Sequence, residues 1–289
     1  MKNQKKPKKI IVIAAAILLL VSVIVAAIAI NADKIFVFAE KNGMFKSEIT
    51  LEKIEPIGKT TLERLSADSR VTFDQSMMLV NTKYILRENF EPQVSEYKST
   101  TVYMNNCMIE SYASLSSDIS DKFHKKLYVS SDFRSADEQA ALYKEDPLTA
   151  TLPGASEHQT GLALDVYVAY YSGDGFVKSS VGRFINRNSW RYGFIIRYPS
   201  YGEDVTGIRF EPWHIRYVGH PHSDIIYNNH LTLEEYIESL ELGAWYEVDG
   251  YYICRMATLA DGEFDFPSDF SRCVISPDNT GNWIITVEK

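Results

Sequence analysis

The hydrophobic pattern of the chain begins with one long apolar run. Residues 10–30 carry no charge, and five lysines stand before them: Lys2, Lys5, Lys6, Lys8 and Lys9. A helix of about 20 apolar residues crosses a hydrocarbon core of about 30 Å, and lysines on one side of it predict a cytoplasmic N-terminus. A signal peptide cleaved near residues 27–29 is the alternative, although its apolar part usually spans only about 7–15 residues. We therefore predict a single uncleaved anchor over residues 1–30, with the chain after residue 31 outside the cell membrane.

After this run, shorter periodic patterns alternate with turn signals. Apolar residues recur at helical spacing within residues 106–126, and "KLYVSSDFRS" predicts a strand that leads into a loop. "SADEQAALYKE" predicts a helix with a capping signal. "SSVGRFINRNSWRYGFIIRYP" predicts a helix and then a short strand that stops at Pro199, and "LTLEEYIESLEL" (231–242) predicts a further helix.

The same patterns predict four parts of the chain. Residues 1–30 form the lysine cluster and anchor, and residues 31–70, which lack a sustained period, form a stalk. Residues 71–243 form the main domain. Residues 244–289 contain short β-like runs bounded by Asp-Gly and Thr-Gly turn signals, so they are expected to form a small β-rich appendage.

Composition and charge narrow the classes of function. The chain has 289 residues and a net charge of −8, so it has no basic footprint for nucleic acid. Its cysteines are Cys107, Cys254 and Cys273, and no CxxC pair is present. In an exported chain Cys254 and Cys273 are candidates for a disulfide, with Cys107 buried and free. Metal chemistry, if present, must use histidine and carboxylate.

Two segments carry candidate chemistry. "SEHQTGLALDV" (156–166) holds His158 and Asp165 on either side of a turn at Gly161, and "RFEPWHIRYVG" (209–219) holds His214 three residues after Glu211. Two histidines and one aspartate make a three-ligand set, which is the number that catalytic zinc uses while it keeps one position for water. Such a site still needs a carboxylate to take the proton from water, and Glu211 is the candidate.

Each segment alone also has an ordinary structural interpretation. Glu211 would form a surface ion pair with Arg209 or Arg216, and His214 would pack under Trp213. The two segments together favour the metal site. His220 and His222, in "GHPHSD", are expected to lie on the surface beyond the strand, with a second metal site as the alternative.

The two segments also resemble a known family. "SEHQTGLALD" matches the SxHxxGxAxD pattern, and "EPWH" the ExxH pattern, of the zinc D,D-carboxypeptidases that include the VanY and VanX-type enzymes. "SSDFRSADEQAALY", "WRYGFIIRYP" and "LTLEEYIESL" extend the resemblance to the VanY-like branch over roughly residues 77–242.

The resemblance implies an α+β fold, in which helices flank a small antiparallel sheet as in the hedgehog-like relatives, and it implies roles for individual residues. His158, Asp165 and His214 are expected to bind Zn²⁺, Glu211 to act as catalytic base, and Arg134 to face the scissile carbonyl. Gln139 and Ser156 are expected to bind substrate, and Trp213 beside the metal ligand is expected to line the cleft. Asp132-Phe133 stands where the family has Gly-Tyr, so a tyrosine hydroxyl that contacts substrate is missing.

The sequence therefore predicts a membrane-anchored zinc D,D-carboxypeptidase with an extracellular catalytic domain. Its expected substrates are peptidoglycan stem pentapeptides or their lipid-linked precursors, and the resemblance suggests a part in glycopeptide resistance. An L,D-carboxypeptidase that acts on stem tetrapeptides is one alternative. A zinc-stabilised cell-wall-binding module without turnover is the other, although such a module has no need of Glu211 and Arg134 together.

Overall fold

The computed structural model of the protein describes residues 6–259 and 262–289. Lys2 and Lys5 of the predicted lysine cluster therefore lie outside the described residues. The α-helices are α1 (Lys6–Ile30), α2 (Ala32–Lys41), α3 (Leu62–Ala67), α4 (Ile109–Phe123), α5 (Ala136–Glu145), α6 (Ser180–Asn188), α7 (Glu203–Thr206), α8 (His222–Asn228) and α9 (Leu233–Ser239).

The strands form two larger sheets and two pairs. The strands are β1 (Glu52–Ile54), β2 (Lys59–Thr60), β3 (Val71–Phe73), β4 (Val94–Glu96), β5 (Tyr103–Asn105), β6 (Tyr128–Ser131), β7 (Ala163–Tyr167), β8 (Phe194–Ile196), β9 (His214–Tyr217), β10 (Trp245–Val248), β11 (Tyr251–Met256), β12 (Phe264–Asp265), β13 (Arg272–Pro277) and β14 (Trp283–Glu288). One sheet has the order β6-β7-β9-β8 and the other β1-β10-β11-β14-β13-β3, while β2 pairs with β12 and β4 with β5.

The four-stranded sheet is antiparallel throughout and has one apolar and one polar face. Successive side chains of a strand point to opposite faces. Leu164 and Val166 of β7 and Ile215 of β9 are fully buried and share a core with α4 and α6. Asp165 and His214 alternate with them, so these two residues lie on the opposite face of the sheet.

The helices that the capping signals predict are present. Ser135 caps α5 and Thr232 caps α9, each in a reciprocal pair with the glutamate three residues later. The helical period within residues 106–126 corresponds to α4, and the strand predicted before Pro199 is β8. The α+β fold with a small antiparallel sheet is confirmed.

Residues 31–70 differ from the expected stalk. The backbone N–H of Asn31 donates to Ala27 O and that of Ile35 donates to Asn31 O, so helical hydrogen bonding continues from α1 into α2. In α2 the side chains of Phe36 and Ala39 are buried, because their spacing of three places them on one helix face. The segment therefore packs against the folded chain instead of leading away from it.

An ion-pair cluster holds α2 in place. The carboxylate of Glu40 lies 3.1 Å from Arg187 Nε and 3.2 Å from Lys46 Nζ, and the side chains of Glu40 and Lys46 are nearly buried. Further along this segment, β1 pairs with β10 and Leu65 of α3 is buried.

Residues 244–289 supply four of the six strands of the second sheet, and β1 and β3 supply its two edges. This sheet shares a buried core with α8 and α9, through residues such as Ile253, Ile284, Ile226 and Tyr236. The boundaries at residues 30, 70 and 243 stay predictions.

The candidate pair Cys254 and Cys273 forms no disulfide, and both cysteines are free and buried. Cys254 lies on β11 and Cys273 on β13, and β14 runs between these two strands. Neighbouring strands are about 4.8 Å apart, so the two backbones are separated by more than the about 7 Å that a disulfide spans. Cys107, expected to be buried, is partly exposed.

His222 is buried instead of lying on the surface as expected. Its Nδ1 lies 2.6 Å from Tyr236 Oη of α9, and its Nε2 lies 2.7 Å from Thr286 Oγ1 of β14. It therefore connects α8 and α9 to the second sheet. Burial, with a smaller contribution from His220, lowers the pKa of His222 to about 3. His220 is paired with Asp224, and within residues 6–259 and 262–289 neither histidine belongs to a group that could hold a metal ion.

The buried His222 predicts acid sensitivity. The unfolded chain takes up the proton near pH 6.5 and the folded chain only near pH 3, so the free energy of unfolding should fall as the pH drops through this window. The slope from this residue is at most about 1.4 kcal/mol per pH unit. Urea unfolding of metal-free protein at several pH values should show the slope, and H222Q should flatten it. The exposed His124 offers the control H124N, which should keep the slope; an equal slope in H222Q would contradict the prediction.

Candidate active site

Three predicted ligands meet at one point of the structure. One donor atom from each of His158, Asp165 and His214 can be chosen so that all three lie within 4.8 Å of one another. The two imidazole rings stand nearly perpendicular, with their centroids 5.0 Å apart. Both histidines are almost fully buried, while the Asp165 side chain is about one-fifth exposed.

His158 is placed by a tight turn before β7. It belongs to a 3-10 turn over Glu157–Thr160, which ends at Gly161 with φ +69°. A Cβ at Gly161 would approach Val94 Cγ1 to 2.5 Å, so glycine is required both for its conformation and for its size. The ring Nδ1 of His158 lies 2.9 Å from Asp132 O. A proton on Nδ1 satisfies that carbonyl and leaves the lone pair of Nε2 facing Asp165, 3.5 Å away.

Strand register places Asp165 and His214 together. They are directly paired residues of β7 and β9, so their side chains emerge side by side on the same face. His214 Nδ1 lies 3.1 Å from Asp165 Oδ1. Burial disfavours the charged form of Asp165, but the two neighbouring histidines outweigh this effect and hold its pKa well below its usual range.

The donor set fits a divalent metal ion. Among the described residues, Oδ1 of Asp165 is buried without a hydrogen-bond partner, although an unpaired buried carboxylate oxygen is costly. It lies 3.1 Å from Nδ1 of His214, and the other oxygen, Oδ2, lies 3.5 Å from Nε2 of His158. Imidazole nitrogens and a carboxylate oxygen are ligands that zinc takes in tetrahedral sites.

Glu211 lies beside this group. Its backbone N–H donates to Tyr198 O and its carbonyl accepts from His214 N–H, and these bonds fix the turn that leads into β9. The Glu211 carboxylate lies 3.9 Å from His214 Nδ1 and is about one-fifth exposed. Partial burial raises the pKa of Glu211, against the opposing attraction of His214. A carboxylate of this kind is suited to accept and return a proton.

Arg134 is held at the cleft by two neighbours. Its Nη1 donates to Gln139 Oε1 and its Nη2 to Ser131 Oγ, both at 2.8 Å. The amide of Gln139 is fully engaged, because its Nε2 also donates to Thr151 O at 2.6 Å. In this arrangement Gln139 orients Arg134.

One cleft of about 550 Å³ contains every predicted site residue. Ser156 and Trp213 line it together with the residues described above, and Leu142, Tyr143 and residues 147–152 form an outer wall. The structure thus brings together residues from the loop between β6 and α5, from α5, from the turn before β7, from β7 and from the start of β9.

The structure also contains a group that the motif analysis missed. Arg216, one of the proposed surface partners of Glu211, is fully buried and paired with Glu157, and Arg209 pairs with Asp174 instead. Glu157 also pairs with the fully buried Arg197. The sequence did hold a signal, because charged residues within apolar strands need buried partners.

The fold and this site, with three possible metal ligands and a carboxylate beside them, are typical of a metal-dependent hydrolase. Comparison with known proteins gives the family: the family profile described as VanY, D-alanyl-D-alanine carboxypeptidase, matches residues 101–220. A D-alanyl-D-alanine carboxypeptidase of Enterococcus faecium is 32% identical in an alignment 255 residues long, which covers 79% of this chain and 80% of that protein. The chain belongs to the VanY family of carboxypeptidases, and the resemblance noted in the sequence is confirmed.

Solved structures agree on the fold. The vancomycin-resistance D,D-dipeptidase VanXYg, in complex with a D-Ala-D-Ala phosphinate analogue, superposes with a TM-score of 0.62 at 26% identity, covering 83% of this chain and all of that one. The LD-carboxypeptidase LdcB superposes with a TM-score of 0.52 at 30% identity, covering 68% of this chain and 99% of that one.

Proposed function

We propose that the protein is a zinc D,D-carboxypeptidase that removes the C-terminal D-alanine from peptidoglycan stem pentapeptides. The observation that carries this proposal is the convergence of His158, Asp165, His214, Glu211 and Arg134 on one cleft. The name of the E. faecium relative supports the D,D specificity. A wall-binding module without turnover would have no need for a general base beside the metal ligands.

The roles of the residues follow from their positions. His158, Asp165 and His214 would hold the metal, which when bound supplies Lewis acidity that polarises a carbonyl and acidifies water. Glu211 takes the proton of the attacking water and returns it to the leaving amine. The Arg134 guanidinium, fixed by Gln139 and Ser131, stabilises the negative charge that develops on the carbonyl oxygen. Ser156 and Trp213 are placed to contact substrate.

Zinc is the proposed resident ion because two imidazoles and one carboxylate form a ligand set typical of catalytic zinc sites. Such a site also accepts other divalent ions.

The N-terminal helix is proposed to anchor the enzyme to the cell membrane with its catalytic domain outside. Val12–Ile30 form a helix of 19 residues with mean hydropathy 3.1, a feature that both membrane spans and signal sequences share. Because α2 continues from α1 and packs on the catalytic domain, an inserted α1 would hold the active site close to the membrane surface. Lipid-linked precursors lie there, and removing their terminal D-alanine would remove the target of glycopeptide antibiotics.

An L,D-carboxypeptidase is the second candidate function. The superposition with LdcB and the presence of Phe133 instead of tyrosine favour it.

The proposal is tested with protein lacking residues 1–30, loaded with zinc, and incubated with a stem pentapeptide that ends in D-Ala-D-Ala or with the matching tetrapeptide. We expect mass spectrometry to show loss of one alanine from the pentapeptide. Cleavage of the tetrapeptide alone would move the assignment to an L,D-carboxypeptidase. Cleavage of neither peptide by protein with stoichiometric zinc would contradict both enzymes. R134K is expected to retain metal and lose most turnover, because lysine cannot make both fixing hydrogen bonds in the same plane.

A further inference from the structure

We propose that Glu157 is a positioning residue that sets the tautomer and orientation of His214. Glu157 stands next to His158 in the chain, and its side chain is fully buried in the wall of the cleft. The proposal rests on the proposed metal site and concerns how one of its ligands is held.

The two oxygens of Glu157 have different neighbours. Oε1 accepts hydrogen bonds from Arg197 Nε at 2.7 Å and Arg216 Nη1 at 2.6 Å. Oε2 lies 3.6 Å from Nε2 of His214. Among the described residues, both Oε2 of Glu157 and Nε2 of His214 are buried without a hydrogen-bond partner. Two unpartnered buried polar atoms, one an acceptor and the other a possible donor, therefore face each other across this gap.

This pairing decides which nitrogen of His214 carries the proton. A carboxylate oxygen can only accept, so it favours a proton on Nε2. The lone pair of His214 is then on Nδ1, which lies 3.1 Å from Asp165 Oδ1. Ligating histidines commonly donate their other ring N–H to a carboxylate or carbonyl in this way. For His158 the carbonyl of Asp132 has the corresponding role, at the opposite ring nitrogen.

The arginines fix the carboxylate in turn. Arg216 Nη2 donates to the carbonyls of Ser76 and Met78, both at 2.8 Å. Arg197 donates from both terminal nitrogens to Glu234 of α9, at 2.8 and 2.6 Å. Two guanidinium and two carboxylate groups thus balance in charge, which offsets the cost of burying them. Because the arginines are tied to α9 and to residues 76–78, Glu157 cannot turn away from His214.

The separation of 3.6 Å exceeds an ordinary N–H···O hydrogen bond of 2.7–3.2 Å. A shift of a few tenths of an ångström in the His214 ring completes the bond. We therefore expect the metal-loaded protein to contain a true hydrogen bond at this position.

The first experiment compares the metal affinity of E157Q and E234Q in the protein lacking residues 1–30, measured by competition with a chromophoric zinc chelator. In E157Q the new amide nitrogen would have to turn either toward the guanidinium groups or toward Nε2–H of His214, so one donor would face another. We expect the affinity of E157Q for zinc to fall about 10–100-fold. E234Q removes the same charge from the same Arg197, but Glu234 does not contact His214. Its zinc affinity should therefore stay within about twofold of the wild-type value, which is small beside the 10–100-fold loss expected in E157Q.

Equal affinity of E157Q and wild type would overturn the inference, and so would an equal loss in E234Q, because a network effect would then explain the result. Absence of stoichiometric zinc in the wild type would instead contradict the proposed function.

The second experiment needs no substitution and decides the question if E157Q does not fold. In zinc-loaded wild-type protein labelled with ¹⁵N at histidine, long-range ¹H–¹⁵N spectra report the protonated nitrogen of each ring. We expect the proton of His214 on Nε2, with its ¹H resonance shifted downfield by the hydrogen bond. A proton on Nδ1 would overturn the inference.

Discussion

Replacement of Glu211 by glutamine is expected to lower kcat/KM for the pentapeptide by about 10²–10⁴-fold, the usual contribution of a general acid–base group. Glutamine keeps the size of the side chain and can still hold a water molecule, but it cannot take a proton. Glu211 lies beyond the three proposed ligands, so the metal content of E211Q should equal that of the wild type. Steady-state kinetics with metal analysis of the same preparation measure both quantities.

The exposed Glu203 of α7 offers the matched control. E203Q makes the same chemical change outside the cleft, so its kcat/KM should stay at the wild-type value. Wild-type activity in E211Q would exclude Glu211 as the base. A loss of both activity and zinc would instead make Glu211 part of the metal site.

Replacement of Asp165 by asparagine is expected to abolish stoichiometric metal binding and to lower activity by about 10³-fold or more, since metal catalysis supplies several kcal/mol. Asparagine keeps the shape of Asp165, but it loses the charge that lies 3.1 Å from His214 Nδ1 and 3.5 Å from His158 Nε2. A metal that binds only the folded protein raises its melting temperature. Added zinc should therefore raise the Tm of the wild type and leave that of D165N unchanged.

The control is D174N, because Asp174 is exposed and forms a surface ion pair with Arg209. D174N should bind zinc, respond in Tm and turn over substrate as the wild type does. Stoichiometric zinc in D165N, with a normal rise in Tm, would show that Asp165 is not a ligand.

The sequence predicted the local elements because interactions between residues close in the chain produce them. Ser135 with Glu138 and Thr232 with Glu235 are capping pairs three residues apart, and their bonds form within one helical turn. The glycine turn after His158 is also local, since a single residue with positive φ ends the 3-10 turn. The long apolar run predicts α1 by length and composition alone.

Long-range partners could not be read in the same way. The sequence offered Arg209 and Arg216 equally as partners of Glu211, and the fold pairs one with Asp174 and the other with Glu157. Residues 31–70 lacked a period because short elements such as β1 and α3 are stabilised by contacts with strands about 200 residues later. His222 was misplaced for the same reason, because burial depends on which elements pack together. The candidate pairing of Cys254 with Cys273 did not form, because β14 lies between their strands.

The sequence by itself determined the family and the capped helices of this protein, and it predicted the types of the metal ligands and the catalytic base. Only the tertiary structure decided how these groups meet. The register of β7 against β9 places Asp165 opposite His214, and α5 places Gln139 beside Arg134. Two buried arginines hold the Glu157 carboxylate near His214. The physical reason is the sequence separation of the interacting groups. Capping and turns depend on neighbours a few residues away, whereas register, burial and charge pairing depend on free energies shared between segments far apart in the chain.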